Sequence, residues 1–473
     1  MIPALATLLT VAGCGTYGSF TGADLGATPG GVQDIGYARM IIESGGVPRV
    51  EDFEIAGLLN EHDMPLSGGP CEKLLCLNTG FGVGPVVTDG TDYGFLQIGF
   101  DSGIDPAEFT REDLNLAVVI DTSGSMMEEL DDIRTALFHL LDQLTPRDRL
   151  TIVTYGVRAQ MLLEPTLVSD AHMAEIERAI MRIEAGGSTN MEEGLQMGYE
   201  ALRTYAGAPG VSDRLMLFTD VQPNVGATQP DEFLPMVKAY GEMEIGLTLF
   251  GVGFEFGPEL AAALSQVRGA NYFYLDSQQR IVEVFDRDFD YMVTPLAYDL
   301  YLHIALNDQL SVAGAYNVQS ADGNGYVEIE IATLFLSRNH GASILQIALG
   351  DAGARPEEGN LVGTAYYSYQ KPDEAGEVAS NLEIRAGYAA GGYADGAFSD
   401  PATRKAAALV NQGLAMKEAC RIYWNENPAD GGLEYLEEAA TMLSSEADAL
   451  DDPALQEEAE LLNQLMENIR AGA

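Results

Sequence analysis

The chain has 473 residues, 47% of them hydrophobic, and a formal net charge of −47. That length exceeds one ordinary domain and supplies enough apolar side chains for sizeable cores. An acid excess of this size excludes nucleic acid and anionic lipid as direct partners, which it would repel, and fits a solvated acidic surface.

Met1 to Gly13 is apolar and uncharged. It lacks the basic residues that open a signal peptide, yet small residues stand directly before Cys14. Val11-Ala12-Gly13-Cys14 resembles the bacterial lipobox, which implies a signal over 1–14 and a membrane anchor through a lipid on Cys14. Gly15, where some bacteria place an acidic retention residue, then favours the outer membrane. The alternative, a buried N-terminal helix, is opposed by Gly15, Thr16 and Gly18. No later stretch is long enough to span a bilayer. Residues 15–33, rich in Gly, Thr and Ala and without periodicity, are expected to form a tether.

Residues 34–111 read as a helical pair and a β segment. Asp34–Ser44 and Val50–His62 place Ile35, Ala38 and Ile41, then Phe53, Ala56 and Leu59, at helical spacing. Cys71 and Cys76 lie close enough for a small disulfide loop in an oxidising compartment. A zinc site there would need a second Cys or His pair, and none is near. Cys420, far along the chain on a helical stretch, reads as a buried thiol. Residues 81–100 carry strand signals, with Asp89-Gly90 as a turn.

At Leu116-Ala-Val-Val-Ile-Asp-Thr-Ser-Gly-Ser-Met126 an apolar strand runs into a tight turn and a helix. Asp121, Ser123 and Ser125 stand at alternate positions, and Gly124 lets the chain bend between the serines. Three hard oxygen donors at the carboxyl end of a buried strand suit a small divalent cation. The competing reading is an Asp/Ser helix cap. Further on come a Gly-rich turn before a helix, Gly186-Gly-Ser-Thr-Asn190, and a second apolar strand ending in Asp, Leu215-Met-Leu-Phe-Thr-Asp220. Strands at Leu150–Tyr155, Ala159–Leu163, Leu215–Thr219, Ile245–Val252 and Tyr272–Leu275 alternate with helices, the last over Gln278–Met292. This predicts an α/β, doubly wound, mainly parallel sheet.

Together these three stretches resemble the metal-ion-dependent adhesion site of the von Willebrand factor type A family, over residues 112–293. The resemblance implies Asp121, Ser123, Ser125, Thr189 and Asp220 as ligands of Mg²⁺, or of Mn²⁺ or Ca²⁺. One position departs from the pattern: Val221 stands where the family usually has Gly. The helical pair at 34–62 is similar to the N-terminal region of bacterial lipoproteins that carry this domain.

The period changes at Pro295. Leu296, Tyr298, Leu300, Leu302, Ile304 and Leu306 alternate, and further strands at Leu310–Val318, Tyr326–Ile331, Ser343–Leu349, Gly363–Tyr369 and Asn381–Ala386 predict an all-β sandwich over 294–390. If the strands before residue 101 join it, the parallel-sheet unit is an insertion into a β domain. Residues 387–400 read as a linker, and 400–473 as two or three antiparallel helices packed on the chain's own body.

Five His are scattered along the chain, and no nucleophile elbow, phosphate-binding loop or His-Glu-x-x-His pattern occurs. A non-enzymatic role is therefore expected. With its ligands only partly neutralising it, the cation would keep a position for an Asp or Glu carboxylate of another protein. The expected function is cation-dependent protein binding or adhesion at the bacterial cell envelope. The alternatives are an assembly factor whose metal only stabilises the fold, and an accessory subunit of a metal-handling enzyme, against which the lack of an ATPase motif counts.

Overall fold

The computed structural model describes residues 25–472 apart from 221–225, 254–256, 319, 323–325, 351–354, 373, 375, 388–397, 399 and 427–430. In chain order the N-terminal part gives β1 (Gly26–Pro29), β2 (Gly31–Val32), α1 (Gly36–Glu43), α2 (Ile55–Glu61) and the hairpin β3 (Leu75–Val86) and β4 (Thr91–Ser102). The central unit follows: β5 (Asp113–Asp121), α3 (Leu130–Gln143), β6 (Arg149–Tyr155), β7 (Ala159–Leu167), α4 (Met173–Met181), α5 (Met191–Arg203), β8 (Val211–Thr219), α6 (Pro230–Gly241), β9 (Ile245–Gly251), α7 (Pro258–Ser265), β10 (Ala270–Tyr274), α8 (Gln278–Val282) and α9 (Phe289–Met292). The single closing helix expected over Gln278–Met292 is thus interrupted, by a widened turn at 283–287.

The central sheet has the order β2-β10-β9-β8-β5-β6-β7, with only β7 antiparallel to its neighbour. β5 is central because it is apolar on both faces. Leu116, Val118 and Ile120 pack among residues of α3 and α4, while Ala117 and Val119 pack with α5, α6 and α7. Burying each of these Leu, Ile and Val side chains contributes about 1.5–3 kcal/mol. The strand order reverses at β5, which has β6 on one side and β8 on the other, so the crevice for a ligand opens at its carboxyl end.

After this unit come β11 (Pro295–Leu306), β12 (Leu310–Tyr316), β13 (Ser320–Asp322), β14 (Tyr326–Ser337), β15 (Ala342–Leu349), β16 (Leu361–Gln370) and β17 (Glu377–Arg385). They join β1, β3 and β4 in one ten-stranded antiparallel sheet. Leu77, Phe81, Leu96 and Ile98 of the β3–β4 end share a core with Leu300, Leu302, Ile304 and Ile329 of the other end. The sheet therefore folds over on itself, and its two leaves make the sandwich. β4 lies against β15, with Tyr93 opposite Ala348 and Gly99 opposite Ala342, so the central unit is inserted between two parts of one β domain.

A second expectation needs correction. The end of the 15–33 stretch is not a tether, because Gly26–Pro29 pairs with Ser337–Leu334 of β14 while Gly31–Val32 adds a parallel edge strand to β10. Backbone pairing needs no hydrophobic period, so a Gly-rich segment fits between two sheets without announcing itself. Residues 1–24, including Cys14, lie outside the described residues.

The C-terminal helices α10 (Pro401–Asn425), α11 (Leu433–Leu450) and α12 (Pro453–Gly472) close the molecule. Leu409, Val410, Met416, Leu443 and Leu462 share one core with Ile35, Ile42, Leu58 and Leu59 of the N-terminal helices. α10 can approach β3 because Gly80 and Gly82 lack side chains: a Cβ on Gly80 would stand 2.0 Å from Thr403 Oγ1, and one on Gly82 2.1 Å from the Phe398 ring. Cys71 and Cys76 form a disulfide, and Cys420 is a buried thiol.

Candidate metal centre

Three loops meet at the carboxyl end of β5. The Thr122 amide and hydroxyl both donate to Tyr155 O at 2.8 Å, tying the turn after β5 to the end of β6. Gly186 N donates to Thr122 O at 2.7 Å, and Gly124 N to Gly187 O at 3.3 Å. Asn190 N donates to Gly156 O at 2.9 Å, and its side chain accepts from Glu193 N to cap α5. Such close interlocking requires glycine twice. Gly187 has φ +100°, and a Cβ on Gly156 would stand 2.5 Å from Gly186 O.

This scaffold gathers the oxygens. Asp121 is fully buried, with Oδ1 accepting from Ser123 N at 2.8 Å and Oδ2 from Thr219 Oγ1 at 3.0 Å. Ser123 Oγ and Ser125 Oγ are 3.0 Å apart, and Ser125 Oγ donates to Asp220 Oδ2 at 2.5 Å. Ser125 is exposed, whereas Ser123, Asp220 and Thr189 are buried. Thr189 sits between the two anchored ends of the Gly186–Asn190 turn. The structure thus brings Asp121, Ser123, Ser125 and Asp220 into one hydrogen-bonded chain and holds the Thr189 loop against it. Val221 lies outside the described residues.

The donor set fits a hard cation. Ligand oxygens around octahedral Mg²⁺ at about 2.1 Å stand about 3.0 Å apart along each edge, which is the spacing of the two serine hydroxyls, while the Ser125–Asp220 contact is a shorter, direct hydrogen bond. The electrostatics point the same way. Burial raises the Asp121 carboxyl to about 6; the Ser123 amide opposes this, and the charge of Asp220 adds to it. Glu129 is raised by burial and then by Asp132, Glu128 and Asp220. A cation at this end of the sheet would relieve that crowding.

Sequence reading passed over Thr219 and Tyr155. Tyr155 OH donates to Thr219 Oγ1 at 3.0 Å, and Thr219 in turn donates to Asp121, so both residues orient the first carboxylate from behind. A hydroxyl at the end of an otherwise apolar strand, directly before Asp220, was the available signal. A second group of potential ligands, Glu61, His62 and Glu458, lies elsewhere. There Arg39 Nη2 already bonds both carboxylates at 2.5 Å, so an arginine fills the place of a metal.

The von Willebrand factor type A domain profile matches residues 115–287. The Escherichia coli (strain K12) protein YfbK is 34% identical over 196 residues, 41% of this chain and 34% of that protein. The Bos taurus inter-alpha-trypsin inhibitor heavy chain H4 is 26% identical over 231 residues, 44% of this chain and 25% of its own length. The chain therefore spans about a third and a quarter of these two relatives. Among solved structures, a von Willebrand factor type A protein from Catenulispora acidiphila superposes with a TM-score of 0.53 at 13% identity, covering 83% of this chain and 96% of that one. That likeness extends the shared fold beyond the central unit.

Proposed function

Because residues 115–287 form a von Willebrand factor type A domain, a module that commonly mediates protein–protein interaction, we propose that this protein binds a partner through a divalent cation held by Asp121, Ser123, Ser125, Thr189 and Asp220. The observation that carries the reading is the contact chain Ser123–Ser125–Asp220, which gathers three hard oxygens at one sheet end, the two hydroxyls 3.0 Å apart, with Ser125 open to solvent. The bound cation supplies an electrophilic position for an Asp or Glu carboxylate of the partner. The protein's own part is to hold the oxygens rigid and to keep Asp121 oriented through Thr219. Hydroxyls and carboxylates in this arrangement suit the binding of a hard cation. The lipobox-like sequence at Cys14 supports placing this activity at the bacterial envelope on a lipid anchor.

Capture from an envelope extract tests the proposal, using the chain without residues 1–14, in Mg²⁺ and in EDTA, with Asp121→Ala as control. A partner retained only with Mg²⁺ and intact Asp121 supports it, and one retained in all three conditions refutes it. A second reading, a metal that only stabilises the sheet end, draws on the two protein hydrogen bonds already made by Asp121. Under that reading EDTA lowers the melting temperature without releasing a partner.

A further inference from the structure

The outer face of the sandwich carries a group of side chains that the metal centre does not use. On β11, β14 and β16 the inward residues are aliphatic, including Leu300, Leu302, Ile304, Val327 and Ile329. The outward positions of the same strands hold rings and carboxylates. His303 lies opposite Glu328 of β14 on one side and opposite Tyr366 of β16 on the other. The Tyr326 ring stacks on His303, with centroids 5.2 Å apart and an interplanar angle of 23°. Tyr301, two residues before His303 and on the same face, donates its hydroxyl to Glu328 Oε1 at 2.8 Å. Tyr326 is 45% exposed and Tyr366 is 41% exposed. Between the rings stand Ala305 and Thr364, which are small and register partners of each other, so the ring surfaces not covered by the Tyr326–His303 stack are not overhung by bulky neighbours on these strands.

We infer that this face, built around Tyr326, His303, Tyr366 and Glu328, is a docking surface for an extended polypeptide segment carrying Lys or Arg. Ring faces are negative and attract cations, and each exposed pair of this kind adds modestly to binding. Glu328 and Glu330 face the same side from β14; Glu328 Oε1 also lies 3.7 Å from His303 Nδ1, so its charge is uncompensated when the imidazole is neutral, and Glu330 adds charge of the same sign. The nearby Arg385 is already bonded to Glu383 and to Gly359 O. The whole chain has net charge −47, so a basic partner is drawn in at long range and then held by the rings. A neutral glycan would use the rings and could donate hydroxyls to the carboxylates, but would gain nothing from the net charge. Outward side chains on one strand repeat every second residue, so a segment with Lys at alternate positions matches the face.

Calorimetric titration of the full chain with the peptide (Lys-Ser)₄ in EDTA tests the proposal. (Glu-Ser)₄ and a neutral oligosaccharide, cellotetraose, serve as comparators. The basic peptide is expected to bind, and the double substitution Tyr326→Leu/Tyr366→Leu, which keeps the apolar bulk and removes the ring faces, is expected to weaken it on the order of tenfold. Glu328→Gln, an isosteric surface change, should weaken it severalfold and provides a second variant if the first melts early. Peptide binding unchanged in both variants would assign it to the diffuse acidic field and overturn the proposal. Absence of peptide binding by the unmodified chain, or binding of cellotetraose in its place, would overturn it as well.

Discussion

Ser125 Oγ donates to Asp220 Oδ2 at 2.5 Å, across 95 residues of chain, and so ties the turn after β5 to the end of β8. If that contact is one edge of a cation's coordination shell, the cation should stabilise the folded state by mass action. At a free concentration one hundred times its dissociation constant the gain is about 2.7 kcal/mol. Thermal unfolding with and without Mg²⁺ should show that gain in the unmodified protein and lose it in Ser125→Ala and in Asp220→Asn. A variant that keeps the full Mg²⁺-dependent rise has lost a residue that is not a ligand.

Thr219→Val keeps the side-chain shape but removes the hydroxyl between Tyr155 and Asp121. Two buried polar atoms then lose a partner, at a cost of about 1–3 kcal/mol. Cation affinity should fall by about 10- to 100-fold, because an orienting group behind a ligand is gone. Urea unfolding checks the first effect and a metal titration the second. Unchanged affinity alongside reduced stability would make Thr219 a packing residue only.

How far these features were legible depended on whether they were local. The strand into Asp121, its turn and the helix beyond lie within one short stretch, so their chemistry could be read directly. Apolar alternation likewise marked β11 and its neighbours. The strands β1 and β2 were not legible, since Gly26–Pro29 and Gly31–Val32 are defined by backbone pairing to elements hundreds of residues away. Tyr155 looked like an ordinary aromatic strand residue until the fold set it opposite Asp121. The aromatic face around His303 was equally hidden, because its members come from three strands and meet only through register.

The buried cluster at Glu458 predicts acid sensitivity. Burial alone would raise the Glu458 carboxyl, but Arg39 and then His62 more than offset it and hold it well below the ordinary range. A carboxyl depressed in the folded state stabilises fully above its unfolded value of about 4.3, and that stability is lost as pH falls toward the folded value. Melting temperature should therefore drop as pH is lowered below about 4.3, and the slope there should be shallower in Glu458→Gln. At neutral pH the same variant should be less stable, since Arg39 loses one of its two carboxylates. Parallel pH profiles for the two proteins would remove Glu458 from the acid response.

Asp34 joins the N-terminal segment to the last strand of the central sheet. Its carboxylate accepts from Tyr274 N at 3.1 Å and from Arg280 Nη2 at 2.9 Å, while Gln33 N donates to Tyr272 O at 2.9 Å. Asp34→Ala should cost about 1.5–3 kcal/mol, the range for hydrogen bonds to a charged group. The loss should appear locally before it appears globally, because β2 is a two-residue strand at the edge of the sheet. Hydrogen exchange at the Tyr274 amide should accelerate, while the Ser123 amide at the metal centre, three strands away across the sheet order, keeps its protection. Acceleration at both sites would mean that the edge and the metal centre open as one unit. An unchanged Tyr274 amide would mean that β10 holds its edge without the N-terminal segment, and Asp34 would then only balance the charge of Arg280.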